Sequence, residues 1–132
     1  MNINTPISLG ELIDKISILV IKEKKIKDER KNNLIRAELT LLRKTLNKAI
    51  SDKAISDNAI NDYLNQLIEV NSALWKIEDE IRDCEKNKKF DQKFIDLARS
   101  VYITNDRRAE IKLEINNKFG SKIVEVKSYT KY

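Results

Sequence analysis

Histidine is absent from this chain, and its only thiol is Cys84. Without histidine the chain cannot form Ser-His or Cys-His nucleophile pairs, histidine-containing zinc sites or the Glu-x-x-His di-iron motif of helical bundles. A single cysteine excludes a disulfide within the chain and indicates a reducing compartment. Several common routes to catalysis are therefore closed, and the sequence favours a role other than an enzyme.

Turn-forming residues are also scarce, with two glycines and one proline among 132 residues. Hydrophobic residues make up 41% of the chain and charged residues 36%, a composition typical of long helices joined by short turns. A chain of this length can bury a core without disulfides or metals. We therefore expect one all-α domain spanning residues 1–132.

The net charge is +5, from 26 basic and 21 acidic residues, and the basic residues are 19 lysines and only 7 arginines. Together with 19 isoleucines and 13 asparagines, this composition is typical of AT-rich coding, so it does not favour nucleic acid as a partner. The start of the chain lacks a basic signal-peptide region, and the apolar run at residues 16–21 is too short to span a bilayer. We expect a cytoplasmic protein without a membrane segment.

Apolar spacing predicts four helices, at residues 9–30, 33–51, 57–86 and 91–119. The third has the clearest pattern, because its apolar residues alternate in steps of three and four over seven turns, as in coiled coils. Ser8 and Glu11 form a capping-box pattern at the first helix, and Gly120 suits the end of the fourth. Short connections predict an antiparallel bundle. Residues 121–132 form either an extended tail docked on the bundle or a frayed end.

Several polar residues project onto the apolar faces of these helices, and one more lies next to such a residue in the chain. Estimated levels place many of them in one layer of the bundle. The layer is either structural, fixing helix register as a buried asparagine does in coiled coils, or a ligand site. A third interpretation is that these residues face solvent. The candidate binding residues are Glu23, Glu38, Asn71, Glu78, Asn105, Arg107 and Arg108.

Arg108 is the natural cation of such a layer, because arginine pairs with a carboxylate through two hydrogen bonds. The estimated levels predict that its partner is Glu23, Glu38 or Glu69. In a ligand site the carboxylates could instead hold Mg²⁺ while arginine and asparagine bind a phosphate or a sugar.

Two other carboxylate pairs have a spacing suited to Mg²⁺ on a helix, Glu11 with Asp14 and Glu80 with Asp83. Both project mostly outward from the apolar faces. Pairs in that position usually belong to solvated surfaces and form ion pairs along the helix. We therefore expect no metal ligands there.

Four segments carry a resemblance to a known family. They read SLGELIDK at 8–15, LWKIEDEIR at 74–82, LA at 97–98 through YITNDRR at 102–108, and GSKIVEVKSY at 120–129. The chain resembles a family of small bacterial and phage proteins catalogued as a domain of unknown function. The resemblance implies that the arginine-containing string and the tail belong to the domain, and it implies no activity.

A weaker similarity connects the chain to the all-α nucleotide pyrophosphohydrolases. These are helical bundles that bind Mg²⁺ through Glu-x-x-Glu and Glu-x-x-Asp pairs. The present chain departs from that pattern, because its candidate pairs lie on other helices or faces. The similarity motivates one alternative function, a Mg²⁺-dependent hydrolase or binder of nucleotides or other phosphorylated small molecules.

Our leading hypothesis is a non-catalytic helical interaction or assembly module that needs no cofactor, with a protein partner possible. The first helix carries Ile18 and Ile21 outside its core stripe, so it is apolar nearly all round. Helices of this kind are buried on two sides. We therefore predict a symmetric homodimer, and the rival explanation is that residues 121–132 cover this face.

Overall fold

The computed structural model describes residues 1–132 and contains four helices and no strand. The helices are α1 (Leu9–Lys25), α2 (Glu29–Lys53), α3 (Asp57–Lys86) and α4 (Gln92–Phe119). The predicted all-α class is therefore confirmed. None of the helices has an apolar stretch long enough to cross a membrane.

The boundary between α1 and α2 differs from the prediction. Helix α1 ends at Lys25, and Asp28 caps α2 by accepting a 2.8 Å hydrogen bond from the Lys31 amide. Residues 31 and 32, which lie between the first two predicted helices, belong to α2. Its Asn32 is buried and donates to the carbonyls of Glu23 (3.3 Å) and Ile26 (2.8 Å), which satisfies the open end of α1.

The other helix ends follow the expected chemistry more closely. The Ser8 hydroxyl accepts the Glu11 amide at 3.1 Å, while the Glu11 carboxylate pairs with Lys112 instead of completing the capping box. Gly120 ends α4 in the left-handed conformation, with φ of 69°. Single residues thus predicted the start of α1 and the end of α4 correctly.

Helix α1 lies at the centre of the molecule. It packs along α2, α3 and α4, whereas α2 has extensive contacts with α1 alone. The core draws on all four helices, with Ile13, Leu39, Leu67 and Ile111 each at most 3% exposed. A helix enclosed on three sides must be apolar almost all round, which explains the unusual composition of α1.

This central position changes the basis of the predicted dimer. Ile21 is 4% exposed within one chain, and Ile18 is half-buried. The chain itself therefore buries most of the face that we had assigned to a second copy. The homodimer stays a prediction, but this face no longer supports it.

Residues 121–132 have no helix or strand and contact the bundle at separate points. The Ser121 hydroxyl accepts the Leu9 amide at 3.2 Å, and Glu125 pairs with a lysine of α4. The ring of Tyr132 stacks on Tyr102, with centroids 5.2 Å apart. Its hydroxyl donates a hydrogen bond to the Asp106 carboxylate, which raises the pKa of Tyr132 to about 12.

Candidate functional site

A buried ion pair joins α1 to α4. The Asp14 side chain is 1% exposed, and the Arg108 guanidinium binds it through two hydrogen bonds, Nε to Oδ1 at 2.9 Å and Nη2 to Oδ2 at 2.5 Å. This is the bidentate geometry for which the planar guanidinium is suited. The pair fixes the orientation of Arg108 at the middle of α4.

Asn71 of α3 adds a third helix to this arrangement. Its Nδ2 donates to Asp14 Oδ1 at 2.9 Å and to Ser17 Oγ at 2.8 Å. The Ser17 hydroxyl in turn donates to the Asp14 main-chain carbonyl at 2.6 Å. We call these four residues, Asp14, Ser17, Asn71 and Arg108, the Asp14 cluster. It connects α1, α3 and α4 by hydrogen bonds.

The cluster holds Asp14 in its charged form. Burial alone would raise the pKa of the carboxyl, but the hydrogen bonds from Arg108 and Asn71 outweigh it, aided by the positive charges of Arg108 and Lys112. The pKa of Asp14 is therefore lowered from its ordinary value of 3.8. The hydrogen bond to Asp14 also raises the pKa of the Arg108 guanidinium.

A lowered carboxyl pKa makes stability depend on pH in a fixed direction. The contribution of Asp14 is fully present above the unfolded-state pKa and is lost as pH falls through the lower folded-state pKa. We expect the free energy of unfolding to fall more steeply between pH 5 and pH 2 in the wild type than in Asp14→Asn. Urea unfolding at several pH values measures this difference, and equal slopes in the two proteins would contradict the assigned ionisation.

An open groove lies beside the cluster, between α1, α3 and α4. Its volume is about 370 Å³. Trp75, the only tryptophan of the chain, forms part of its wall, so we call it the Trp75 groove. Arg108 reaches it with a side chain 28% exposed, and its Nη1 makes no hydrogen bond within the chain. The other lining residues are Ile18, Ile21, Asn71, Leu74, Glu78, Asp79 and Asn105.

The groove brings together four of the seven predicted site residues, Asn71, Glu78, Asn105 and Arg108. The adjacent Arg107 is exposed and pairs on the surface with Glu110 at 3.4 Å. The sequence predicted both neighbouring arginines as site residues, but only Arg108 lines the groove.

The two predicted acids of α1 and α2 lie elsewhere. Glu23 pairs with Arg36 at 3.7 Å near the surface, and Glu38 is exposed. Their predicted place in a buried layer with Arg108 is wrong, because Glu23 lies near the surface at the end of α1 and α2 has extensive contacts with α1 alone. Glu69, the third predicted partner of Arg108, is also exposed.

The actual partner of Arg108 is Asp14, which we predicted to face outward. Asp14 was placed by its position relative to the core stripe of α1 alone, whereas three helices surround α1. One signal was available, because Asp14 interrupts a largely apolar run, with Leu12 and Ile13 before it and Ile16 and Ile18 after it. A charged residue inside such a run is either at the surface or paired in the core.

Lys112 forms a second ionic contact one turn from Arg108. Its Nζ lies 2.8 Å from Glu11 and 3.1 Å from Glu125. Burial lowers the pKa of Lys112, but these hydrogen bonds and the nearby negative charges outweigh it, so the pKa is raised. Glu11 and Asp14, which have the spacing of a Mg²⁺ pair, thus each bind a different cation of the chain. No three acidic or thiol side chains form a group that could hold a metal ion.

Comparisons with protein-family models, with curated proteins and with solved structures find no match to this chain. The resemblance to the family of unknown function and the similarity to pyrophosphohydrolases therefore stay predictions. The function of the Trp75 groove is therefore inferred from the residues that line it.

Proposed function

We propose that the protein is a non-catalytic helical module that recognises its ligand or partner in the Trp75 groove. The observation that carries this proposal is the state of Arg108. Two of its nitrogens are held by a carboxylate that is almost wholly buried, while Nη1 remains without a partner in a residue lining the groove. A guanidinium oriented in advance loses little freedom when it binds, which favours recognition.

The residues of the groove support binding rather than catalysis. Its lining contains no serine, threonine, cysteine, lysine or tyrosine, and the chain has no histidine. The only side chains of the lining that could act as a covalent nucleophile are therefore Glu78 and Asp79. What remains is an aromatic wall, an apolar floor and hydrogen-bonding groups, the usual composition of a binding site.

A second candidate is the Mg²⁺-dependent hydrolase or binder of phosphorylated compounds. One observation favours it, because Glu78 and Asp79 line the same groove as Arg108. Proteins commonly bind Mg²⁺ through one or two carboxylates together with the phosphates of the substrate. In this case the phosphate would bridge the metal and the free edge of Arg108.

We also infer an antiparallel arrangement of α1 and α4. Two contacts support it, since Gly10 donates to Asn116 at 2.8 Å and Asp14, one turn later in α1, binds Arg108, two turns earlier in α4. We further propose that the four helices form an antiparallel bundle in which α3 packs through a coiled-coil-like seam. The proposal also includes a homodimer and a cytoplasmic location.

Trp75 offers a direct test of the groove, because the fluorescence of the chain's only tryptophan reports on it. We expect a saturable change in Trp75 emission with at least one member of a panel of amines, amino acids, nucleotides and sugar nucleotides, with and without Mg²⁺. A ligand at 100 times its Kd should also stabilise the fold by about 2.7 kcal/mol, which a thermal-shift assay detects.

The variants distinguish groove binding from binding elsewhere. Asn105→Ala should weaken the response, and Arg107→Ala, which changes the exposed neighbour of Arg108, should not. A ligand that raises thermal stability without changing Trp75 emission, and equally in both variants, would contradict the proposed site. A response that requires Mg²⁺ and phosphate together would select the second candidate.

A further inference from the structure

We propose that the ligand of the Trp75 groove is an organic cation, a primary ammonium or guanidinium group at the end of an alkyl chain. This inference rests on the proposed function, since it assumes that the groove is the binding site. It comes from the juxtaposition of an acceptor-rich polar rim, an aromatic wall and an apolar floor around one concavity.

The charge of the groove is negative once the internal ion pair is counted. Asp14 neutralises Arg108 through both carboxylate oxygens, which leaves Glu78 and Asp79 as the remaining charges of the lining. Glu78 contacts Arg82 only at 3.9 Å, between two exposed side chains, and such pairs contribute little. The net charge of +5 on the whole chain matters less here, because charges beyond about 8 Å are largely screened at physiological salt.

Asn71 provides an acceptor that the chain leaves unused. The residue is 6% exposed, and its Nδ2 is committed to Asp14 and Ser17. This orientation is required, because a carboxylate accepts hydrogen bonds and would repel the amide oxygen. The Oδ1 of Asn71 accepts no hydrogen bond. It is not fully enclosed either, because the only fully enclosed side-chain nitrogen or oxygen without a partner is Asn32 Oδ1. The Asn71 oxygen therefore reaches solvent at the groove, where it can accept from a cationic donor.

The remaining walls fit the carbon part of such a ligand. Ile18, Ile21 and Leu74 provide an apolar floor, and Trp75 provides the aromatic surface. An indole is the best of the natural aromatic partners for an ammonium or guanidinium ion. An alkyl chain on the floor with its charged end near Asn71, Glu78 and Asp79 would contact the apolar, aromatic and acceptor groups of the lining.

A free phosphate fits less well. It would meet two carboxylates and only one uncommitted nitrogen of Arg108, whose charge is already balanced by Asp14. Like charges brought together at a binding site act against the complex. A phosphate would bind only together with a metal ion whose positive charge compensates Glu78 and Asp79.

The experiment is a titration of the wild-type protein with agmatine, followed by Trp75 fluorescence and by calorimetry. We expect saturable binding, and none by butylurea, a neutral compound with the same alkyl chain that lacks both charged groups of agmatine. Nα-acetyl-arginine amide, which carries the same guanidinium on a capped peptide unit, is titrated in parallel. Tighter binding of this compound indicates that a partner's arginine side chain is the source of the cation, and tighter binding of agmatine indicates a free amine.

Charge-removing variants test the groups that carry the inference. The double variant Glu78→Gln/Asp79→Asn is expected to bind agmatine about fivefold to tenfold more weakly, because partly exposed charge pairs each contribute modestly. The matched control Glu69→Gln/Asp83→Asn makes the same changes on exposed positions of α3 outside the groove. It should bind as the wild type does.

The possible failures are separable. Binding of agmatine and butylurea with equal affinity, or equal weakening in both double variants, would overturn the organic-cation assignment. Binding of pyrophosphate with Mg²⁺, without binding of agmatine, would overturn it as well, and would leave the groove itself supported. If none of these probes changes Trp75 emission and the wider panel is also silent, both the inference and the proposed function are contradicted.

Discussion

Arg108→Ala is expected to lower the free energy of unfolding by about 3–5 kcal/mol, the usual cost of leaving a buried charge without its partner. The stranded group is Asp14, which at 1% exposure cannot reach water. Chemical denaturation at pH 7 measures the loss. The matched control is Arg107→Ala, an exposed arginine whose surface pairs should contribute no more than about 1 kcal/mol.

The converse substitution should cost less. In Asp14→Asn the stranded charge is Arg108, whose side chain is 28% exposed and can move toward solvent. The double variant Asp14→Asn/Arg108→Gln replaces the ion pair by two amides that can still hydrogen-bond, and should recover much of the loss caused by Arg108→Ala. A loss below about 1 kcal/mol in Arg108→Ala would contradict the burial and pairing of Asp14.

Gly10→Ala is expected to destabilise the protein by about 1–3 kcal/mol, the range for overpacking, although alanine is the better helix former. A Cβ at this position would lie 2.6 Å from the Lys112 carbonyl oxygen and 2.9 Å from Asn116 Oδ1. The first of these is a backbone atom, so α1 and α4 must separate to make room. The intrinsic gain of about 1 kcal/mol for alanine in a helix does not offset that separation.

Gly120→Ala serves as the comparison for Gly10→Ala. A Cβ there meets no atom within 4 Å, but the left-handed φ of 69° disfavours alanine. We expect a cost of about 1–2 kcal/mol from the backbone alone. Thermal and urea unfolding of both variants measures the two effects. A stabilised Gly10→Ala would show that α1 and α4 are not in close contact.

Local patterns predicted most of the fold. The stripe of α3, the Ser8 cap and Gly120 each report on a few neighbouring residues, and each was read correctly. The α1–α2 boundary was not, because Asn32 closes α1 through contacts six and nine residues away. A polar residue inside a helix and one inside a turn look alike until those contacts are known.

The candidate site was predictable only on the side of α3 and α4. Asn71 and Arg108 interrupt helices that have one apolar face, so projection onto that face identified them. Asp14 belongs to a helix enclosed by three others, and no single-face projection can place it. Which acid meets Arg108 is decided by the arrangement of the helices, and we had predicted Glu23 of α1, Glu38 of α2 or Glu69 of α3.

The most direct test of this account is the side-chain Nε–H signal of Arg108 in a ¹H–¹⁵N NMR spectrum, assigned by its disappearance in Arg108→Lys. The account predicts a signal protected from solvent exchange by Asp14 at pH 7, which loses its protection in Asp14→Asn. It also predicts that this signal shifts when agmatine fills the groove. An Arg108 signal that exchanges as fast as that of Arg107, and does not respond to Asp14→Asn, would contradict the buried pair and the site built on it.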